Sequence, residues 1–388
     1  MALYQQEDTF ISTVAKELQR AAQEAEQDGD VKINLYFADG KGSQTVQNEQ
    51  IDRFLDREYD VICINIVDRT AAAVIIDKAQ AADIPVIFFN RQPVEEDLRR
   101  WEHAYYVGLP AGDAGMMQGQ LVLDAWRADQ NSIDKNGDGV LQYVMLEGEA
   151  GHQDALLRTE QCIAVLTEAG VPVERLASET ANWQRGQAAL RMRQWLQKGI
   201  GEIEVVFANN DDMALGAIDA WQEAGLPMEE LPFIVGVDAT PPALEALQAG
   251  TLKGTVRNDA VGLAEGLMQF ITAFAQGQQL SGGVDLLHNA HVAVEDARAH
   301  GTVVLFPHHV VIVSGLHDAV ALPKDEVAEL LFVFDAAGGI QRRLQTAVQI
   351  HRAARPPAGG CQHLYVLRRD AHFLRQPLAA QFHHCLHQ

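Results

Sequence analysis

The stretch "IEVVFANNDDMALGA", residues 203–217, decides the fold because an apolar run leads directly into a helical pattern. Residues 203–208 are apolar and rich in β-branched side chains apart from Glu204, which predicts a buried strand. Residues 211–224 predict a helix, and Asn210 stands between the two elements. A continuous apolar strand followed by a helix is typical of a parallel sheet that helices cover on both faces. The stretch therefore predicts an α/β fold.

The same alternation recurs along the first 280 residues. Strand-like runs cover residues 32–37, 60–67, 84–89, 141–146, 203–208 and 232–238, and helical patterns cover 9–28, 70–82, 112–128, 155–169, 186–198 and 211–224. We interpret "AYYVGLPAG", residues 104–112, as a crossing between two such sheets. Ligands bind beyond the carboxyl ends of parallel strands, so the polar residues that follow strands directly are candidate ligands.

Composition limits the function. A chain of 388 residues is long enough for two domains, and its net charge of −23 argues against a nucleic-acid partner, which requires a basic face. No run approaches the roughly 20 apolar residues of a membrane span. The four cysteines lack metal-like spacing. The first residues, "MALYQQEDTF", carry no export signal, which indicates either a cytoplasmic protein or a missing N-terminus.

The last part of the chain has a different character. Residues 281–388 contain 12 of the 14 histidines, and they hold as many acidic as basic residues, so the whole net charge lies in the first 280. The strand–helix alternation does not continue there. We interpret residues 281–388 as an atypical tail. Two explanations of this tail stay open, a disordered segment and a frame-shifted translation product.

The stretch "IDKNGDGVLQ", residues 133–142, begins like a calcium-binding loop. The candidate ligands are the side chains of Asp134, Asn136, Asp138 and Gln142 and the carbonyl of Val140. Met145 stands where the closing glutamate would be, so the loop is either a solvated turn or a site that takes its last ligand from a neighbouring strand. An acid at the start of an apolar strand is costly unless it is solvated or paired. We therefore favour the ion, with Glu204 as the closing ligand.

The stretch "GEAGHQDALLR", residues 148–158, places polar side chains at a helix start. Asp154 and Arg158 are one turn apart, which suits an N-cap with an ion pair while His152 is solvated. The alternative is a proton-transfer pair of His152 and Asp154 in an enzyme. Because no nucleophile or oxyanion site accompanies this pair, we do not favour catalysis.

A third set of residues is dispersed along the chain. It comprises Asp8, Phe10, Asn90, Trp183, Asn210, Asp238 and Asn258. Each is individually a cap, turn or packing residue. Together with Arg158 they suit a neutral polyol, because amides, carboxylates and a guanidinium pair with hydroxyls while aromatic faces pack on the C–H surface of a sugar ring.

These motifs, in this order, resemble the galactose/glucose-binding proteins of bacterial sugar import and chemotaxis, which have the type I periplasmic-binding-protein fold. The resemblance rests on "DTFISTV", "IPVIFFNRQP", "DKNGDGVLQYVMLEGEAGH", "IEVVFANNDDMALGA", "VGVDATPPALEAL" and "GTVRNDA", and it covers residues 4 to about 275. It implies two Rossmann-like lobes, each a parallel sheet flanked by helices: residues 1–108 plus about 258–280, and residues 109–257. The stretch "SGGVDLLHNAHVAVEDARAHG", residues 281–301, resembles neither the last crossing nor the closing strand of the family, so we expect an exposed sheet edge.

The resemblance implies a monomeric periplasmic protein that is not an enzyme. It would bind D-galactose or D-glucose in the cleft through Asp8, Asn90, His152, Asp154, Arg158, Asn210, Asp238 and Asn258, with Phe10 and Trp183 sandwiching the ring. It would hold Ca²⁺ at Asp134, Asn136, Asp138, Val140, Gln142 and Glu204. A sugar ABC-transporter permease and a chemoreceptor would be its partners. The alternatives are the sugar-sensing core of a transcription regulator, an enzyme such as a sugar isomerase or hydrolase, and a damaged chain that does not fold stably.

Overall fold

In the computed structural model, residues 1–27, 32–199 and 202–277 are described in full, and beyond residue 277 only the backbone of short strands is described. The chain divides into two compact units, Met1–Ala293 and Val294–Gln388. The first unit extends beyond the boundary predicted at residue 280. Among the described residues, no helix is both long and apolar enough to span a bilayer.

The first sheet contains six parallel strands. In chain order they are β1 (Ala2–Leu3), β2 (Ala38–Asp39), β3 (Ile62–Ile64), β4 (Val86–Phe89), β5 (Ala104–Gly108) and β11 (Val284–Leu286), and they lie side by side as β11-β5-β4-β3-β1-β2. Its helices are α1 (Thr9–Gln27), α2 (Gln44–Asp56), α3 (Ala72–Ala82), α4 (Glu95–Leu98) and α10 (Ala260–Ala275). We call this body the first lobe.

The first sheet is covered on both faces because successive side chains of each strand point to opposite faces. Ile87 and Phe89 pack with α1 and α10 on one face, whereas Val86 and Phe88 pack with α2 and α3 on the other. Strands buried on both faces are apolar throughout, and this explains why they are visible as continuous runs in the sequence.

The second sheet lies in the middle of the chain. Its strands are β6 (Leu141–Glu147), β7 (Val173–Thr180), β8 (Val205–Ala208), β9 (Phe233–Val237), β10 (Gly254–Arg257) and β12 (Ala290–Ala293), in the order β12-β10-β9-β8-β6-β7. All neighbours are parallel except β10 and β12. Its helices are α5 (Ala111–Ala128), α6 (Gln153–Glu168), α7 (Arg185–Lys198), α8 (Asp211–Glu223) and α9 (Pro241–Gln248). We call this body the second lobe.

Helices α5 and α6 pack closely on one face of the second sheet. A Cβ atom added at Gly119 of α5 would lie 2.4 Å from the carbonyl oxygen of Cys162 in α6. The backbones can approach this closely only because the residue has no side chain. A Cβ atom at Gly115 would likewise lie 2.8 Å from the Arg158 Cα, so the close packing extends into the first turns of α6, where several candidate ligands lie.

Three strand predictions need correction. Residues 32–37 form no strand. On this side of β1, which begins at Ala2, the pairing is with Ala38 and Asp39, and this leaves residues 32–37 without a neighbouring strand. Strand β7 has no apolar run because it is an edge strand whose side chains are all partly or fully exposed. The stretch at 281–301 was expected to add no strand, but β11 pairs with β5 and β12 pairs with β10.

The second unit shows two small antiparallel groups of strands. β13 (Gly301–Phe306) pairs with β14 (His309–Ser314), and β15 (Leu331–Phe334), β16 (Ile340–Gln341), β17 (His363–Val366) and β18 (Gln376–Pro377) form a four-stranded sheet. The other residues of the predicted tail lie outside the described part of the chain.

Candidate functional site

Candidate ligands lie at the carboxyl ends of the strands of both sheets. In the first lobe Asp8 precedes α1 and Asn90 follows β4. In the second lobe each of the others follows a strand: His152 after β6, Trp183 after β7, Asn210 after β8, Asp238 after β9 and Asn258 after β10. Parallel strands bring their carboxyl ends to one edge of a sheet, which explains how residues far apart in sequence come together.

The first-lobe residues are held by hydrogen bonds. The Asp8 carboxylate accepts from the hydroxyl of Tyr4 at 2.5 Å and from the backbone N–H of Ile11 at 2.8 Å. Asn90 adopts a left-handed backbone with φ of 60°, and its carbonyl accepts from the hydroxyl of Tyr106 at 2.9 Å. These contacts hold the Asp8 side chain and the Asn90 backbone, and Asn65 Nδ2 donates to the Asn90 side chain at 3.2 Å.

The start of α6 holds a compact polar cluster. Arg158 is buried, and its Nη1 donates to the carbonyl of Asn209 at 2.9 Å while its Nη2 donates to Asp154 at 3.2 Å. His152 is the N-cap, and its Nδ1 accepts from the backbone N–H of Asp154 at 3.1 Å. The Arg158 Nε is also buried, and it has no hydrogen-bond partner. The predicted ion pair of Asp154 and Arg158 is present, but the N-cap is His152, whose side chain is buried rather than solvated.

Trp183 packs on this cluster. Its ring meets that of His152 edge to face with centroids 5.1 Å apart, and the Arg158 guanidinium lies 5.8 Å from its centroid. A Cβ atom at Gly148 would lie 2.2 Å from Trp183 ring atoms. Phe10, its predicted partner, lies in the apolar core of the first lobe at 6% exposure, and the predicted sandwich of a sugar ring stays a prediction.

The remaining second-lobe residues form two neighbouring groups. The Asn258 side-chain amide donates to Asp238 at 3.0 Å, and the Asn210 amide donates to the carbonyl of Trp183 at 3.2 Å. Beneath them Asp211 accepts from the hydroxyl of Thr255 at 2.6 Å and from the backbone N–H of Thr240 at 2.8 Å. Asp211 thus ties together the ends of strands β8, β9 and β10.

Burial dominates the electrostatics of these groups. Desolvation raises the pKa of Asp8, of Asp154 and of Asp238, and it raises the pKa of Asp211 to about 7. It lowers the pKa of His152, which the charges of Arg91 and Arg158 lower further. The charges of Asp211 and Asp8 add to the raised pKa of Asp238, after its desolvation.

Two contacts join the lobes beside these residues. Arg91 Nη2 donates to the Glu149 carboxylate at 2.8 Å, and the Thr9 hydroxyl donates to Asp212 at 2.6 Å. The arrangement is a cleft between two lobes, lined by buried hydrogen-bonding groups. Such a cleft suits a small ligand with many hydroxyls.

The predicted calcium loop lies before β6, at the opposite end of the second sheet. Asp134 accepts backbone N–H groups of Gly137 at 2.7 Å and Gly139 at 2.9 Å, and Asp138 accepts that of Val140 at 2.8 Å. Burial by itself would raise the pKa of Asp134, but these hydrogen bonds and one from Gln130 outweigh it and lower the pKa.

Glu204 lies at this loop, as the strand argument expected. It is fully buried, and its two oxygens accept the backbone N–H groups of Lys135 at 2.6 Å and Gln142 at 3.0 Å. Desolvation raises its pKa. In the described residues no group of three or more His, Cys, Asp or Glu side chains is placed to hold a metal ion. The donor types still fit a hard cation, since the loop and Glu204 supply carboxylate, amide and carbonyl oxygens.

Sequence reasoning missed four polar residues around the cleft. They are Tyr4, Asn65, Arg91 and Asn209. Asn65 and Asn209 each lie at the end of a strand-like run, and that position could have identified them. Nothing in the sequence distinguishes Tyr4 or Arg91, because their contacts are with segments distant along the chain.

Comparisons with known proteins agree with this geometry. The periplasmic binding protein domain matches residues 1–279. The D-galactose/methyl-galactoside binding periplasmic protein of Haemophilus influenzae is 38% identical over 284 residues, which are 73% of this chain and 83% of that protein. A putative rhizopine-binding protein of Rhizobium meliloti is 35% identical over 63% of this chain and 75% of its own length.

Solved structures show the same fold. An ABC transporter solute-binding protein of Bacillus halodurans with bound myo-inositol has a TM-score of 0.64 at 29% identity, covering 76% of this chain and 94% of its own. A Mycobacterium smegmatis protein in complex with β-D-fucofuranose has a TM-score of 0.66 at 27% identity, covering 77% and 91%. The chain therefore belongs to the periplasmic binding protein family, which implies a bacterial periplasmic location, and it is a solute-binding protein rather than an enzyme.

Proposed function

We propose that the protein binds one neutral hexose, D-galactose or D-glucose, between its lobes and delivers it to the permease of a sugar ABC transporter. We propose further that the sugar-bound form is read by a chemoreceptor. Closure of two lobes on a ligand is a shift of population between open and closed forms, and the closed form presents a surface that a partner can recognise.

The observation that carries this proposal is the Arg158 side chain. Its Nε is buried without a hydrogen-bond partner, beside the carboxylate of Asp154, whose side chain is 13% exposed. A buried donor left unpaired is costly, and a ligand hydroxyl removes that cost. Because the guanidinium and the carboxylate are fixed together, adjacent hydroxyls of a sugar are the chemistry that matches them.

The relatives support the class of ligand. Those described by what they bind include a D-galactose/methyl-galactoside binding protein, a xylitol-binding protein and ribose import binding proteins, all of them for polyhydroxylated solutes. The galactoside-binding relative has the highest identity of these three, which favours a hexose.

Calorimetric titration tests the ligand. D-galactose, D-glucose, D-ribose and myo-inositol are titrated separately into sugar-free protein, after unfolding and refolding to remove carried-over ligand. We expect D-galactose or D-glucose to bind at least about tenfold more tightly than the other two, because buried groups that pair with specific hydroxyls reject analogues lacking them. Preference for ribose or myo-inositol would contradict the hexose, and absence of binding to all four would contradict the proposal.

We propose a structural calcium ion in the second lobe. Asp134, Asn136, Asp138, Gln142, Glu204 and the carbonyl of Val140 would hold it. The support is the donor set and the position of Glu204, a fully buried carboxylate at the loop. An ion there would stabilise the lobe because it binds the folded form and not the unfolded one.

A thermal melt with and without EGTA tests the ion. We expect EGTA to lower the melting temperature and added CaCl₂ to restore it, while MgCl₂ restores it less because Mg²⁺ requires stricter octahedral geometry. Equal melting temperatures with EGTA and with CaCl₂ would show that the loop is only a turn.

A further inference from the structure

Arg91 is buried in the first lobe but makes an ion pair with the second. Its side chain is 6% exposed, against 40% for Glu149, the partner across the cleft. Among the ion pairs of the described residues, the pair of Arg91 and Glu149 joins the two lobes, whereas others such as Arg100–Asp77 lie within one lobe. A contact between lobes forms only when the cleft is closed.

The first lobe holds the Arg91 side chain in place. The guanidinium lies 3.7 Å from the centroid of the Tyr4 ring, and its Nη1 donates to the carbonyl of Val67 at 2.9 Å. A guanidinium stacked on an aromatic face keeps its remaining N–H groups free in the ring plane. The Tyr4 hydroxyl in turn donates to Asp8 at 2.5 Å. Arg91 is therefore connected, through Tyr4, to a residue of its own lobe that is predicted to bind the sugar.

The other end of the pair is coupled to the second-lobe site. Glu149 lies in the turn between β6 and α6, and its carbonyl accepts the backbone N–H of His152 at 3.1 Å. The neighbouring Gly148 donates its N–H to Asn209 at 2.9 Å. The turn that receives Arg91 is therefore the turn that positions His152.

We propose that Arg91 and Glu149, here called the closure pair, are positioning residues that hold the closed cleft and set the rate at which ligand leaves. This proposal rests on the function proposed above, because the ligand is taken to be a sugar. Tyr4 and His152 link the closure pair to the two halves of the site. Neither member is required to touch the sugar. Their role is to add an attraction that exists in the closed form and not in the open one, and a population shift requires such a difference.

A double-mutant cycle in ligand kinetics tests the closure pair. The variants are Glu149→Gln, Arg91→Met and the double substitution, with Asp77→Asn as a matched control that removes a carboxylate from an ion pair within the first lobe. Dissociation and association of D-galactose are followed by stopped-flow tryptophan fluorescence. Because Glu149 is partly exposed, E149Q leaves the fold intact even where R91M does not.

We expect E149Q to raise the dissociation rate about threefold to tenfold, with the association rate and the melting temperature of the sugar-free protein unchanged. The double variant should release the sugar no faster than R91M alone, because both substitutions remove the same interaction. D77N should leave both rates unchanged. An unchanged dissociation rate in E149Q, or an equal effect of D77N, would overturn the proposal.

A second measurement needs no sugar, so failure of the hexose proposal is distinguishable from failure of this one. Spin labels are placed at Val74→Cys in α3 and Leu190→Cys in α7, which are 59% and 46% exposed, with Cys361 and Cys385 replaced by serine. We expect E149Q to shift the distance distribution of the sugar-free protein towards longer values, and D77N to leave it unchanged. Identical distributions for E149Q and the parent would overturn the closure pair whatever the ligand is.

Discussion

Strand β8 carries a polar cluster at each end, and the two clusters differ in how their groups are satisfied. Before the strand, Glu204 accepts the backbone N–H groups of Lys135 in the loop and of Gln142 near the start of β6. After the strand, Asn209 and Asn210 join a cleft built from segments of both lobes, and the Nε of Arg158 there has no partner. The first cluster is satisfied within the protein, whereas the second leaves a buried donor unpaired, which under the proposed function a ligand hydroxyl would satisfy.

This difference separates stability from binding. A group whose hydrogen bonds are all internal contributes to the fold, and its loss is felt as instability. A group left unpaired in a cleft costs stability and contributes to affinity instead. Substitutions at the two ends of β8 should therefore have different readouts.

The largest expected effect is at the cleft. Arg158→Met should weaken D-galactose binding by about 100-fold, because it removes a charged donor and leaves Asp154 buried without its partner. Calorimetric titration measures the affinity, and Arg175→Met, at an exposed arginine of β7, is the control. An affinity within a factor of two of the parent would show that the ligand does not contact this cluster.

The loop should respond to calcium and not to sugar. Glu204→Gln should weaken calcium binding by about tenfold or more, nearly as much as Asp134→Asn, since a hard cation depends on the number of carboxylates. Competition with a fluorescent calcium chelator measures it, with Glu202→Gln as the exposed neighbouring control. If E204Q binds calcium as the parent does, Glu204 does not close the site and the loop is only a turn.

Gly148 links backbone packing to the cleft. Gly148→Ala should weaken sugar binding by about tenfold, because the added Cβ would lie 2.2 Å from Trp183 ring atoms and displace the ring. Gly186→Ala is the control, since a Cβ there has no atom within 4 Å. Titration of both variants measures the effect, and equal affinities would mean that the Trp183 position is not critical.

The smallest effect concerns pH. Burial lowers the pKa of His152 in the folded protein, so below its unfolded pKa of about 6.5 the unfolded chain takes up a proton that the folded chain does not. Stability should therefore fall as the pH falls below about 6.5. The raised pKa values of Asp8 and Asp154 act in the opposite sense, because the folded chain then holds protons that the unfolded chain has released. Comparison with a variant of His152 therefore isolates the contribution of this residue.

His152→Asn makes this comparison because asparagine keeps the N-cap. Between about pH 7 and pH 5.5 the melting temperature of the parent should fall by about 2 °C or more relative to that of H152N. Thermal melts in matched buffers measure it. Parallel curves for the two proteins would show that His152 is free to protonate in the folded state.

Local sequence patterns determined much of the molecule. The helix predicted at 9–28 is observed as α1 (Thr9–Gln27), and that at 211–224 as α8 (Asp211–Glu223). The buried strands of the parallel sheets were visible as apolar runs because both their faces are covered. Strand β7 was missed since a partly exposed edge strand needs no apolar pattern.

Residues 133–142 specified most of the predicted ion loop's geometry by themselves, since Asp134 and Asp138 accept the backbone N–H groups of Gly137, Gly139 and Val140 within it. Only the tertiary structure brought Glu204 to that loop and Arg91 across the cleft to Glu149. The reason is physical: backbone turns and caps are set by residues a few positions apart, whereas contacts between lobes depend on how whole sheets are placed. Sequence alone therefore determined the elements and their polar ends, and the tertiary structure decided which of those ends meet.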